Sequence, residues 1–262
     1  MLFLNIILIT LAVLAGLVIL AFFIQPGLLT LPYSKIISLF VKNPPYLDKD
    51  VYFPESKILE ENWEVIREEL GVILQNNENV PKFHEIDSIQ RFISAKDEIP
   101  WRTFVLKAYG KWVDNNCEMA PKTVEMLQGM PKVITALFSI LDGGKHIPPH
   151  IGFFKGVLRY HLGLVVPQDA PCYILVDGQK YSWKEGEGVV LDDTFVHEVW
   201  NKSSERRVVL FIDVLRDTGV PPWIARLNYS MYQMLGKSKR LEKAIKRAEV
   251  PKDLGQKKKV AA

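Results

Sequence analysis

The sequence predicts a mainly β domain with helices in front of it and one transmembrane helix at the N-terminus. Three observations carry this prediction. From residue 132 the apolar pattern takes the spacing of strands. Within that region "CYILVDGQKYSW" (172–183) sets Asp177-Gly178 between two apolar runs, the signature of a tight hairpin. The first 24 residues, "MLFLNIILITLAVLAGLVILAFFI", hold only Asn5 and Thr10 as polar interruptions, and the first charged residue is Lys35.

At about 1.5 Å per residue, such a run is long enough for a hydrocarbon core of roughly 30 Å. A secretory signal wants a basic start, a shorter apolar stretch and small residues at its end, and none of these is present. Residues 1–25 are therefore read as an uncleaved anchor. Lys35 and Lys42 follow it, so the positive-inside rule places the domain in the cytoplasm as a single-pass membrane protein. Cys117 and Cys172 suit a reducing compartment.

Residues 26–55 form a juxtamembrane segment. Ile36, Ile37, Leu39 and Phe40 with Lys35 and Lys42 suit a short amphipathic stretch at headgroup level or a linker helix packed on the domain. "NPP" at 43–45 ends it. Ile58, Leu59, Trp63, Ile66, Leu70 and Ile73 share a helical face over 56–76, and Ile89, Phe92 and Ile93 suggest a shorter helix. "WRTFVLKAYGKW" (101–112) reads as a strand entering a turn at Gly110. "APKTVEMLQGM" (120–130) reads as a helix stopped at Gly129. The strands "VITALFSIL", "VLRYHLGLVV", "GVVLDD", "HEVWN" and "RVVLFIDVL" complete a domain spanning 56–220.

Residues 221–262 read as an amphipathic and basic tail. "PPWIARLNYSMYQMLG" is aromatic, and 236–259 carry ten Lys or Arg against three Asp or Glu. This composition suits an anionic bilayer surface or a solvated tail. The net charge of +3 gives no argument for nucleic acid.

Of the five histidines, His150 and His197 fall near strand ends, and Arg207 follows ten residues after His197. Two separated histidines are a weak metal signal by spacing alone. Their order does match non-haem iron oxygenases, which use His-x-Asp/Glu, a later His and then an Arg for the carboxylate of 2-oxoglutarate. Gly152 stands where the acid belongs. Iron halogenases also lack that acid.

"HIPPHIGFFKGVLRYHLGLVVP", "YSWKEGEGVVLDDTFVHEVWNKSSERRVVLFIDV", "WRTFVLKAYGKW" and "CEMAPKT" together resemble the aspartyl/asparaginyl β-hydroxylase family, which includes bacterial lipid A fatty-acyl hydroxylases. The resemblance implies a double-stranded β-helix, that is a jelly roll or cupin-like core, and a dioxygenase using Fe(II), 2-oxoglutarate and O2. It implies His150 and His197 as metal ligands. Arg207, Ser139 and His161 are implied as cosubstrate residues, and Arg159 as a residue facing substrate. Asp192 and Asp193 are expected near the start of the His197 segment, fixing a loop or a histidine. The expected reaction is hydroxylation of a fatty-acyl chain of a membrane lipid. Lipid A (hence the bacterial inner membrane) comes first and an ornithine lipid second, with a protein Asp or Asn as the alternative substrate. A catalytically dead binding module is the remaining alternative, and the joint presence of His150, His197 and Arg207 counts against it.

Overall fold

The computed structural model describes residues 5–6, 9–10, 29–75, 79–87, 91–94 and 97–251. Ten named helices stand beside eleven strands among these residues. In chain order they are α1 (Thr30–Ile37), β1 (Tyr46–Leu47), α2 (Lys49–Tyr52), α3 (Ser56–Glu61), α4 (Trp63–Leu74), α5 (Phe83–Ile86) and α6 (Arg91–Ser94). There follow β2 (Trp101–Ala108), β3 (Lys111–Trp112), α7 (Asp114–Cys117), α8 (Pro121–Gln128), β4 (Val133–Leu141), β5 (His146–His150) and β6 (Val157–Val165). The last are β7 (Cys172–Val176), β8 (Gln179–Ser182), β9 (Gly188–Leu191), β10 (His197–Asn201), β11 (Arg207–Leu215), α9 (Pro222–Gly236) and α10 (Lys239–Ala248).

The strands form two antiparallel sheets. The larger runs β1-β9-β6-β11-β4-β2-β3 and the smaller β5-β10-β7-β8. Both end on open edges, and no strand of one sheet pairs with a strand of the other. This corrects the mainly β, jelly-roll expectation: the domain is mixed α/β with two unclosed sheets. Strand periodicity and turn signals reveal where strands lie. They do not reveal whether a sheet closes, or how much of the core comes from helices.

The helices supply much of that core. Ile66, Leu70 and Ile73 follow the spacing of one face of α4, and with Leu59 of α3 they pack against Phe138, Tyr160 and Leu210 of the larger sheet. The sequence reads 56–76 as one helix. The chain instead breaks at Asn62, whose side-chain amide donates to the Ile58 carbonyl at 2.8 Å and so competes with the helical ladder. The Asp177-Gly178 turn joins β7 to β8, with φ of +50° and +74°. Tyr109-Gly110, at +45° and +83°, joins β2 to β3 in the same way. Both positions of each turn are left-handed, so glycine takes the second without strain while Asp177 and Tyr109 are held in that region at the first.

The other face of the larger sheet meets the smaller one across Leu141, Leu191 and Val209 on one side and Ile147, Ile174 and Val199 on the other. The basic C-terminal segment is not a free tail over its helical part. In α10, Ala244, Ile245 and Ala248 pack on Val105 and Leu137, and the Ala248 carbonyl accepts from the buried Asn116 amide at 2.9 Å.

Among the described residues no helix is long and apolar enough to cross a membrane. The expectations of a transmembrane helix and of a single-pass membrane location are corrected accordingly. The apolar run that prompted them lies, except for four residues, outside the described part of the chain. The first named helix after it, α1, has only eight residues, about 12 Å of rise. Its Ile37, with Val41 beyond it, packs on Ile224 of α9, the behaviour of a linker helix docked on the domain.

If the helices are core and not decoration, Ile66→Ala should cost roughly 2–5 kcal/mol. Urea denaturation checks this, and a cost under about 1 kcal/mol would return α4 to the periphery.

Candidate active site

Strand alternation decides which side chains reach the space between the sheets. In β11, Val208, Leu210 and Ile212 join the helix-covered core, so Arg207, Val209, Phe211 and Asp213 face the smaller sheet. In β6, Leu158, Tyr160 and Leu162 do the same and leave Arg159 and His161 on the other face. In β4, Phe138 and Ile140 bury against the helices, and Ser139 faces with Arg207.

His150 ends β5 and His197 begins β10. Val199 pairs with Ile147 and Trp200 with His146, a register that would set Pro149 opposite His197. A one-residue bulge in β5, opposite the step from His197 to Val199, shifts the pairing, so that His150 stands there instead. The two rings lie 4.0 Å apart, centroid to centroid. The Nδ1 of His150 lies 2.8 Å from the Pro148 carbonyl, and that of His197 lies 3.0 Å from the Phe195 carbonyl. A carbonyl only accepts, so each Nδ1 carries the proton and each Nε2 is left with a lone pair. Burial pushes both imidazoles down to about 4, with His197 adding to the shift of His150. Both rings are therefore neutral at pH 7, the state a metal ligand requires.

No carboxylate adjoins them in sequence, yet one does in space. A Cβ built on Gly152 would meet Asp193 Oδ2 at 2.0 Å and Oδ1 at 2.4 Å. The Asp193 carboxylate thus occupies the volume of the missing side chain. Its Oδ2 pairs with Arg159 Nη1 at 2.8 Å, and its buried Oδ1 has no hydrogen-bond partner. Among the described residues no group of three or more His, Cys, Asp or Glu is placed to hold a metal. The donor set on offer is two imidazoles.

Next to this pair lies a cluster of buried polar groups. Arg207 is 2% exposed, and its guanidinium sits 4.6 Å over the Trp183 ring. Nη1 donates to the Ser139 carbonyl at 3.3 Å, Nε has no partner, and no acid pairs with the group among the described residues. Burial lowers its pKa, which a contact with the Cys172 thiol partly offsets. Both ring nitrogens of the buried His161 lack partners, as do Trp183 Nε1 and Thr103 Oγ1. Burial holds the His161 pKa well below its usual value, and Arg207 adds to the effect. The Ser139 hydroxyl accepts from Trp101 Nε1 at 3.0 Å. A desolvated cation and several unsatisfied donors cost several kcal/mol unless a ligand answers them. A bound anion would satisfy these donors.

Arg159, expected to face substrate, is held here between two carboxylates. Its Nε donates to Asp213 Oδ1 at 3.1 Å, its Nη1 pairs with Asp193, and it stacks 4.2 Å over Phe211. Asp192 is a structural anchor. Its Oδ2 takes Arg216 at 2.6 Å and Lys155 at 2.5 Å, and its Oδ1 takes the Thr194 hydroxyl at 2.6 Å. Burial raises its pKa, but Arg216 and Lys155 outweigh that and hold it at about 2. Glu198 points to the outer face of the smaller sheet, where it binds His146 and Trp200.

Sequence reasoning missed Trp183, Thr103, Trp101 and Asp213 as site residues. Only Asp213 left a signal, a charge at an alternate position of an otherwise apolar strand.

Residues 60–217 match the family model described as "Aspartyl/Asparaginyl beta-hydroxylase". The chain belongs to that family of iron- and 2-oxoglutarate-dependent oxygenases. It is 37% identical over 194 residues to the ornithine lipid ester-linked acyl 2-hydroxylase of Rhizobium tropici, covering 74% of this chain and 66% of that protein. It is 32% identical over 171 residues to the human aspartyl/asparaginyl beta-hydroxylase, covering 60% of this chain and 20% of that one. The match therefore spans just under two thirds of the first relative and one fifth of the second. A Cupin 2 conserved barrel domain protein from Salinispora arenicola aligns with half of this chain at 11% identity and a TM-score of 0.29, too low to bear on the fold.

Two substitutions test this geometry. Gly152→Ala must displace Asp193 and loosen its pair with Arg159, lowering stability by roughly 1–3 kcal/mol. A melting temperature equal to that of the unaltered chain would contradict the overlap. Asp192→Asn leaves two buried cations short of their anion and should cost roughly 3–5 kcal/mol at pH 7. The folded-state pKa of Asp192 is depressed, so its contribution is full above about pH 4 and fades as the pH falls toward 2. Denaturation curves against pH should show that extra acid loss in the unaltered chain and not in the variant.

Proposed function

We propose that the chain hydroxylates a fatty-acyl C–H of an ornithine-type aminolipid, using Fe(II), 2-oxoglutarate and O2. The observation that carries this reading is the buried Arg207 guanidinium, without an acidic partner and surrounded by unsatisfied donors. A dicarboxylate cosubstrate answers that need. His150 and His197 would hold the metal through Nε2, and Arg207 with Ser139 would receive the distal carboxylate, a contact suited to a two-pronged guanidinium. His161 would face the same cosubstrate.

When bound, iron, 2-oxoglutarate and O2 supply the oxidation: one oxygen atom enters the substrate as hydroxyl, and the other enters succinate as CO2 leaves. The chain's own residues set the conditions for it. The Pro148 and Phe195 carbonyls fix the tautomer of each ligand ring. Trp183 covers the guanidinium and keeps water from it. Asp193 keeps one buried carboxylate oxygen without a hydrogen-bond partner, and it would accept from a donor bound beside Gly152. Arg159 is a positioning residue that holds Asp193 in place.

The similarity to an ornithine lipid acyl 2-hydroxylase favours the aminolipid over lipid A, which the sequence puts first. Similarity to the human protein keeps a peptidyl Asp or Asn as the second reading.

The test has two parts. With Fe(II) and ascorbate, the chain should turn over 2-oxoglutarate, and an ornithine lipid should gain one oxygen on an acyl chain by mass spectrometry. His197→Ala should reduce turnover by at least a hundredfold, roughly what loss of a metal ligand's affinity gives. Retained turnover in that variant would refute the metal assignment. An unmodified lipid alongside a hydroxylated Asp or Asn peptide would move the reading to the protein substrate.

A further inference from the structure

Two helices far apart in the chain present apolar side chains to solvent, and one of them touches the loop that follows His150. On α1 and the turn after it, Ile36 is 57% exposed, Leu39 71% and Phe40 55%. On α9, Trp223 is 46% exposed and Leu227 45%. The Phe40 and Trp223 rings meet edge to face at 5.2 Å, so the two sets form one surface. That surface reaches the site: the Ser34 hydroxyl of α1 donates to the carbonyl of Phe153, itself 45% exposed, in the loop that leaves His150. Soluble domains seldom leave so many large apolar residues together in water without a use for them.

The charges its chain segments carry are of one sign. Lys35, Lys42 and Arg226 are exposed and have no ion pair among the described residues. No Asp or Glu occurs between residues 30 and 47 or between 218 and 241. A protein partner would need only the apolar area. An apolar patch whose two chain segments, 30–47 and 218–241, carry cations and no acid is what an anionic lipid surface selects. We infer that the face built by α1, α9 and the loop after His150 docks on the surface of an anionic lipid bilayer and presents acyl chains to the site. The inference rests on the acyl-lipid reading above and names the surface from which that substrate is drawn.

Trp223 is the one exposed tryptophan of the six, and residues 1–29 contain none. Its fluorescence therefore reads this face alone, whatever else in the full chain meets lipid. The full chain is mixed with vesicles of phosphatidylcholine and phosphatidylglycerol whose acyl chains carry bromine. Strong quenching is expected, and most of it should be absent in Trp223→Phe. Arg226→Gln should weaken vesicle binding about fivefold, and raised salt should weaken it further. Equal quenching in the unaltered chain and in Trp223→Phe would overturn the proposal. So would equal quenching on purely zwitterionic vesicles, or a Trp223 shielded only in a dimer of the chain. Quenching of Trp223 with no oxygen added to any acyl chain would support the docking face while refuting the acyl-lipid reading.

Discussion

Side chains alternate across β4, β6 and β11, and the site exists because β11 keeps that alternation through two register shifts, against β6 between Val208 and Val209 and against β4 between Asp213 and Val214. One face carries Phe138, Tyr160 and Leu210 into a core closed by α3 and α4. The other carries Ser139, Arg159, His161, Arg207 and Asp213 toward the smaller sheet. A slip of one residue in any of these strands would send its polar residues into the helix-covered core and its aliphatic ones into the site. The apolar face therefore fixes the register, and the register places the chemistry.

The smaller sheet departs from regularity at the one place where the site needs it. The bulge lies in β5, where two residues separate Ile147 from His150 against one between Val199 and His197, and it moves the partner of His197 from Pro149 to His150. It costs a ladder position, and the two imidazoles gain a common side. Asp193 is held just ahead of them by Arg159, in the volume Gly152 leaves open. Glycine at 152 is thus a spatial requirement as well as the loss of a ligand.

The two arginines on the same face of the sheet have opposite electrostatic fates. Arg159 is neutralised by Asp193 and Asp213. Arg207, more deeply buried, has a carbonyl, a thiol and an indole face but no acid among the described residues. A folded chain tolerates such a group when binding offsets its cost, and under the proposed function the contrast separates the structural cation from the one that would receive the cosubstrate.

Much of this was legible in the sequence: the strands from residue 132, both tight turns, the helical face through Ile66 and Leu70, and His150, His197 and Arg207 in order. These are local periods and spacings, and local sequence determines them. Closure of the sheets was not legible, nor was the share of the core that helices supply, because both depend on which surfaces meet. The amphipathic character of 35–42 and of 222–236 was readable separately, but their union at Phe40 and Trp223 was not. What only the tertiary structure decided is a set of juxtapositions: a one-residue bulge, a carboxylate filling a glycine's space, and one buried arginine left without the acid its neighbour has. Each arises from packing between segments remote in the chain, where no residue's own neighbours record the contact.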